Sequence, residues 1–146
     1  MRQKVILMML KIKDTIWLRI RFNNEPGTIS EVKHKYIVID VNTEEKYVEL
    51  IQLDTVKPNK VYISAKRSNK LIKPSEKDGI SKYCYAQLDN IFMIECGDYT
   101  FTKGKPITDG LYYDLLDEYR HYQETNQISD NKIVYISLDE LINLNQ

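Results

Sequence analysis

The chain has 146 residues, enough for one domain with a real core and too few for two. A hydrophobic fraction of 42% with eleven tyrosines excludes a disordered chain, while 21 basic and 21 acidic side chains leave a net charge of zero that by itself says nothing about nucleic acid. Cys84 and Cys96 have no CxxC spacing and no histidine cluster near them, which argues against a disulfide scaffold or a zinc site and leaves them as small, part-buried thiols in a reducing cytosol.

The apolar run at residues 5–10 is too short to span a bilayer and is broken at once by Lys11 and Lys13. It also lacks the longer apolar core and small-residue cleavage site of a secretory signal. The expectation is a cytoplasmic protein with no membrane association. Met8 and Met9 leave open a natural start at either of them.

Residues 12–22 alternate in part, with Ile12, Asp14, Ile16, Leu18, Ile20 and Phe22 on one face, Asp14 being the misfit. Period-two alternation of this kind predicts a half-buried strand, and the turn cluster Asn23-Asn24-Glu25-Pro26-Gly27 ends it. A basic step, Lys33-His34-Lys35, leads into a β-branched, apolar strand over residues 36–41. Residues 46–53 form its hairpin partner across Asn42-Thr43-Glu44-Glu45. Residues 61–64 read as another short strand, and residues 65–82, basic and holding Pro74 and Gly79, as a long loop of the functional or mobile kind. Strands are expected at 83–87, 91–95 and 99–102.

The character then changes. Thr108 or Asp109 can cap a helix on which Leu111, Leu115, Tyr119 and Tyr122 form a stripe that Tyr112 and Leu116 widen. A strand at 132–136 follows, and Ser137-Leu138-Asp139-Glu140 is a capping box for a short helix. Charge is segregated along the chain. Residues 1–35 hold eight Lys/Arg against three Asp/Glu, and residues 57–82 hold eight against two. Residues 109–146 hold two against eight. Such segments either create a local positive field suited to a polyanion or simply solubilise surface loops.

In order and spacing, Asp14-Thr15-Ile16-Trp17, the Pro26-Gly27 loop, Lys33-His34-Lys35, Ile37-Val38-Ile39, Leu53-Asp54-Thr55, the basic loop and Gln87-Leu88-Asp89-Asn90 resemble the MazF/PemK toxins over about residues 9–95. The family's glycine is Lys13 here, and its Arg-Pro step is His34-Lys35. The resemblance implies an α+β, mainly β fold, an SH3-like small open barrel of the MazF/PemK/CcdB kind. In a single domain of residues 1–146, the barrel would take about 9–104, and a helix, strand and short helix would extend it over 105–146.

It also implies a metal-independent endoribonuclease without a cofactor, in which the RNA 2′-hydroxyl is the nucleophile and the protein needs only a base, an acid and cationic groups around the phosphorane. On that reading His34 stands where the family's phosphate-side arginine lies, with Lys33 and Lys35 as point charges. Thr55 supplies the hydroxyl at the end of the third strand, or belongs to a turn. Asp89 matches the family's acid/base aspartate, or caps a turn, and Gln87 takes the place of its arginine. Lys66, Arg67, Lys70 and Lys73 would track phosphates, and Trp17, with Tyr36, Tyr83 and Tyr85, would stack unpaired bases. The implied partners are single-stranded RNA, a second copy of the chain, and an antitoxin, a protein or, as for ToxN-like toxins, an RNA. The alternatives are a non-catalytic RNA- or protein-binding barrel of the same fold, and a structural phage or plasmid protein. No Ser/His/Asp order, phosphate loop or metal-binding histidine pair is visible, since the only histidines are His34 and His121, and His121 is an ordinary helix residue.

Overall fold

The computed structural model describes residues 10–146, so most of the 5–10 apolar run lies outside the described residues. The protein is α+β and mainly β: among the described residues eight strands form one open sheet, antiparallel except for one pair, with three α-helices. In chain order the elements are β1 (Thr15–Leu18), β2 (His34–Asn42), β3 (Tyr47–Thr55), α1 (Val61–Ser64), β4 (Asn69–Ile72), β5 (Cys84–Gln87), β6 (Ile91–Glu95), β7 (Thr102–Lys103), α2 (Asp109–Thr125), β8 (Ile133–Ile136) and α3 (Leu138–Leu144). Among the described residues no helix is long and apolar enough to cross a membrane.

The sheet runs β4-β5-β3-β2-β1-β7. The free edge of β3 is shared: Leu53, Asp54 and Thr55 pair with β5, and the stretch from Tyr47 to Leu50 pairs with β6. β5 and β6 thus follow one another along a single long neighbour, interrupted at Leu88, Asp89 and Asn90. β8 adds to the far side of β6 in the parallel sense, Ile91 opposite Ile133. The C-terminal segment is therefore hydrogen-bonded into the sheet rather than appended to it.

Both faces of the sheet are covered, which explains the unbroken apolar run of β2. Tyr36 and Val38 join Ile16, Leu18, Leu50, Phe92, Val134 and Leu141 in one core. Ile37 and Ile39 join Ile51, Leu53, Ala86, Tyr112, Leu115 and Tyr119 in the other. Thr108 caps α2 by accepting from Leu111 N, and Tyr112, Leu115 and Tyr119 form its buried stripe. Tyr119 and Arg120 both donate to the buried carboxylate Glu49 of β3. Ser137 caps α3 by accepting from Glu140 N, but the Glu140 carboxylate turns to Arg21 instead of closing the capping box.

Four expectations are corrected. The first strand is only four residues long, because Lys13 sits at φ 78, where a strand cannot continue; Ile12 and Phe22, expected to face inward, are exposed. Residues 61–64 are helical, not extended: Pro58 opens a 3-10 turn that runs into α1, and Ser64 Oγ bonds back to Val61 O. The expected loop at 65–82 contains β4, and the strand expected at 99–102 shrinks to β7, with Tyr99 and Phe101 packed on the first core.

Candidate functional site

The end of β1, the start of β2, the end of β3 and the start of β5 meet at one end of the sheet, with Leu18 opposite His34, Lys35 opposite Leu53, and Thr55 opposite Cys84. A cavity of ≈ 590 Å³ opens there. Its lining holds five lysines, Lys33, Lys35, Lys57, Lys60 and Lys82, against a single carboxylate, Asp54. A neutral protein thus has a strongly cationic concavity.

His34 is fixed at both ring nitrogens. Nδ1 lies 2.9 Å from Asp54 Oδ1, and Nε2 lies 3.0 Å from Ser30 Oγ. An ionised carboxylate can only accept, so Nδ1 carries the proton and Nε2 of the neutral ring is the free base that accepts from Ser30. Ser30 is held in turn: its hydroxyl also accepts from Val32 N, and its carbonyl accepts from Arg19 Nε.

Asp54 is the hub. Gln52 Nε2 donates to it at 3.1 Å, Gln87 Nε2 donates to its other oxygen, and Tyr36 OH donates to Gln52 Oε1 behind. Burial alone would raise its carboxyl, but the hydrogen bonds from His34, Gln52 and Gln87, with the charge His34 carries once protonated, outweigh burial and hold it below the usual carboxylate range. Tyr85, across from Asp54 on β5, has its phenol raised by burial and by the Asp54 charge. Asp54 is therefore ionised at neutral pH and can orient His34 throughout a proton transfer.

Lys35 sits 5.9 Å from the Trp17 ring centroid and donates to Gly79 O at 3.1 Å. Partial burial draws its ammonium down from the ordinary lysine value. Gly79 has φ 68, and a β-carbon there would meet Lys105 Cβ at 2.9 Å, so this acceptor depends on glycine. Trp17 is 40% exposed on the cavity wall, as a stacking surface requires. Buried Cys84 also lines the cavity, and burial pushes its thiol up to about 11, so it stays protonated.

Of the residues singled out from sequence, His34, Thr55, Lys33, Lys35, Trp17 and Tyr85 come together on this cavity. The others do not, and Tyr36, expected to stack on bases, is buried in the first core. Asp89 lies in the turn between β5 and β6, paired with Lys132 at 3.0 Å. Lys70 is paired with Asp114 and Glu118 of α2, because β4 lies at the sheet edge beside that helix. Lys66 and Arg67 are exposed in the turn before β4, outside the cavity lining. Sequence reasoning treated Asp54 only as a neighbour of Thr55 and passed over Ser30, Lys57, Lys60 and Lys82. A readable signal for Asp54 was its alternation with Gln52 at the polar end of an otherwise apolar strand.

Among the described residues no three His, Cys, Asp or Glu side chains gather as a metal site. No protein-family model matches the chain, and no curated protein matches it.

Proposed function

We propose that the protein is a toxin-like, metal-independent endoribonuclease that cuts single-stranded RNA, built on a variant of the SH3-like barrel of the MazF/PemK toxins. The observation that carries the reading is a histidine clamped by an ionised aspartate at the edge of a cavity lined by five lysines. A polyanion fills such a cavity, and a neutral imidazole is the base its 2′-hydroxyl needs.

In the reaction, His34 Nε2 takes the proton of the 2′-hydroxyl, which displaces Ser30 from that nitrogen. The 2′-oxygen bonds to phosphorus, the P–O5′ bond breaks, and the leaving 5′-oxygen takes a proton from the Lys35 ammonium. The products are a 2′,3′-cyclic phosphate and a 5′-hydroxyl. Asp54 fills the carboxylate role that the family resemblance gave to Asp89, Thr55 donates to the phosphate, and the remaining lysines hold it and its neighbours. Acid–base assistance of this kind contributes roughly 10²–10⁴-fold. The homodimer and the antitoxin, protein or RNA, belong to the same proposal.

A second reading has one observation in its favour, the Ser30–His34–Asp54 chain of contacts, which is also the order of a nucleophilic serine with its base and orienting acid. The test is incubation of the protein with mixed single-stranded RNA in EDTA, followed by end-group analysis. Discrete cuts ending in cyclic phosphate, lost in His34→Ala and kept in Ser30→Ala, support the ribonuclease. Loss of activity in Ser30→Ala with covalent labelling of Ser30 by a fluorophosphonate supports the serine nucleophile. RNA that is retarded on a gel but intact leaves the non-catalytic binding barrel.

A further inference from the structure

His34 belongs to two cavities. Behind the cationic one lies a second of ≈ 520 Å³, within the range of about 300–1,000 Å³ that ligand sites occupy. Its wall is rich in side-chain amides, Asn23, Gln52, Gln87, Asn90 and Asn131, and Phe22, 47% exposed, stands at it as a flat apolar face.

Two of these amides have their orientation fixed by their partners. Gln87 faces the ionised Asp54 and Asn90 faces Phe22 O at 3.2 Å, and each partner can only accept. The amide nitrogens are therefore committed to those partners, so what these two lining residues have left to offer a ligand is an accepting oxygen each. The Lys132 ammonium on the same wall is held by Asp89.

A ribonucleotide carries its base, its 2′-hydroxyl and its 3′-phosphate on one sugar. With the 2′-hydroxyl at His34 Nε2 and the 3′-phosphate among the lysines, the base of that sugar is directed to the other cavity that His34 lines. We infer that the second cavity reads the base of the nucleotide on the 5′ side of the cut, and that it favours adenine or cytosine, whose exocyclic amines donate to the oxygens of Gln87 and Asn90. This inference rests on the ribonuclease reading. Uracil presents a carbonyl in place of that amine, which sets acceptor against acceptor at that position. Discrimination by a good amide–base pair corresponds to about tenfold or more. Phe22 supplies stacking, which is indifferent to base identity and accounts for roughly tenfold in affinity.

The experiment maps the 5′-side nucleotide at every cut in a random single-stranded RNA pool. It also measures binding of short oligo(A), oligo(C) and oligo(U) to the His34→Ala protein. The expected result is cuts after A or C at least about tenfold over cuts after U, with oligo(U) the weakest ligand of the inactive variant by a similar factor. Phe22→Ala, at an exposed position, should weaken all three homopolymers without altering the cut preference. Efficient cutting with no preference at that nucleotide overturns the inference and leaves the ribonuclease standing. Base-selective binding with no cutting by the wild-type protein keeps the base site and overturns the ribonuclease. Failure to bind any of the three, together with no cutting by the wild-type protein, overturns both.

Discussion

His34 draws its use from the unlike surroundings of its two nitrogens, an ionised acceptor at Nδ1 and a displaceable hydroxyl at Nε2. Replacing the acceptor is the most informative single change. Asp54→Asn removes the charge that stabilises an imidazolium and frees the ring to carry its proton on Nε2. We expect cleavage to fall by roughly 10²-fold or more with RNA affinity nearly unchanged, read as a drop in kcat at constant KM. The same carboxylate links stability to pH. Its folded-state pKa is depressed, so its contribution is present above the unfolded carboxylate value and is lost as pH falls through the lower folded value. Urea midpoints should therefore drop as the pH falls below the ordinary aspartate value of about 4, and Asp54→Asn should lose stability at pH 7 while showing a smaller drop on acidification.

At the scale of elements, most of the framework was legible: the hairpin of β2 and β3, the capped and striped α2, and Ser137 opening α3 all follow from local pattern. The site depended on something no local pattern gives. From the turn inward, Asn42 faces Tyr47 and Asp40 faces Glu49, a register that, continued, would set His34 opposite Thr55. A bulge at Ile39 shifts the pairing by one residue, and His34 meets Asp54 instead. The bulge is in turn held by α2, whose Tyr112 hydroxyl donates to the Ile39 carbonyl at 2.9 Å, a contact between residues 73 apart in sequence. Asp89 and Lys70 were singled out from sequence for other roles because their ion-pair partners lie on elements distant in the chain. Two expectations follow. Leu115→Ala, at the fully buried centre of α2, should cost about 2–5 kcal/mol in chemical denaturation. Lys70→Ala breaks a pairing with two largely exposed carboxylates, so it should cost under about 1 kcal/mol and leave RNA affinity where it was.

For the whole molecule, zero net charge conceals a division of labour among cations. Arg19 and Arg21 are committed to Ser30 and to Glu140, Lys13 to Asp109 and Lys70 to α2, whereas Lys33, Lys57, Lys60 and Lys82 line the cavity. Binding of single-stranded RNA should weaken with salt on a log–log slope of about −0.7 for each phosphate held. Lys57→Gln with Lys60→Gln should flatten that slope, and Lys66→Gln with Arg67→Gln should leave it unchanged, as fluorescence titrations across salt concentrations would show. The order in which the chain is made adds a consequence of its own. The Asn145 side chain clasps both backbone groups of Arg19, 126 residues earlier, and β8 closes an edge of β6 that was synthesised some forty residues before it. On the ribosome, the segment leading to Ser30 and His34 lacks its clasp until Asn145 has been made, and long-range closures of this kind form late. The setting of Ser30 and His34 is thus completed by a side chain made long after them, so Asn145→Ala should loosen a site it does not touch.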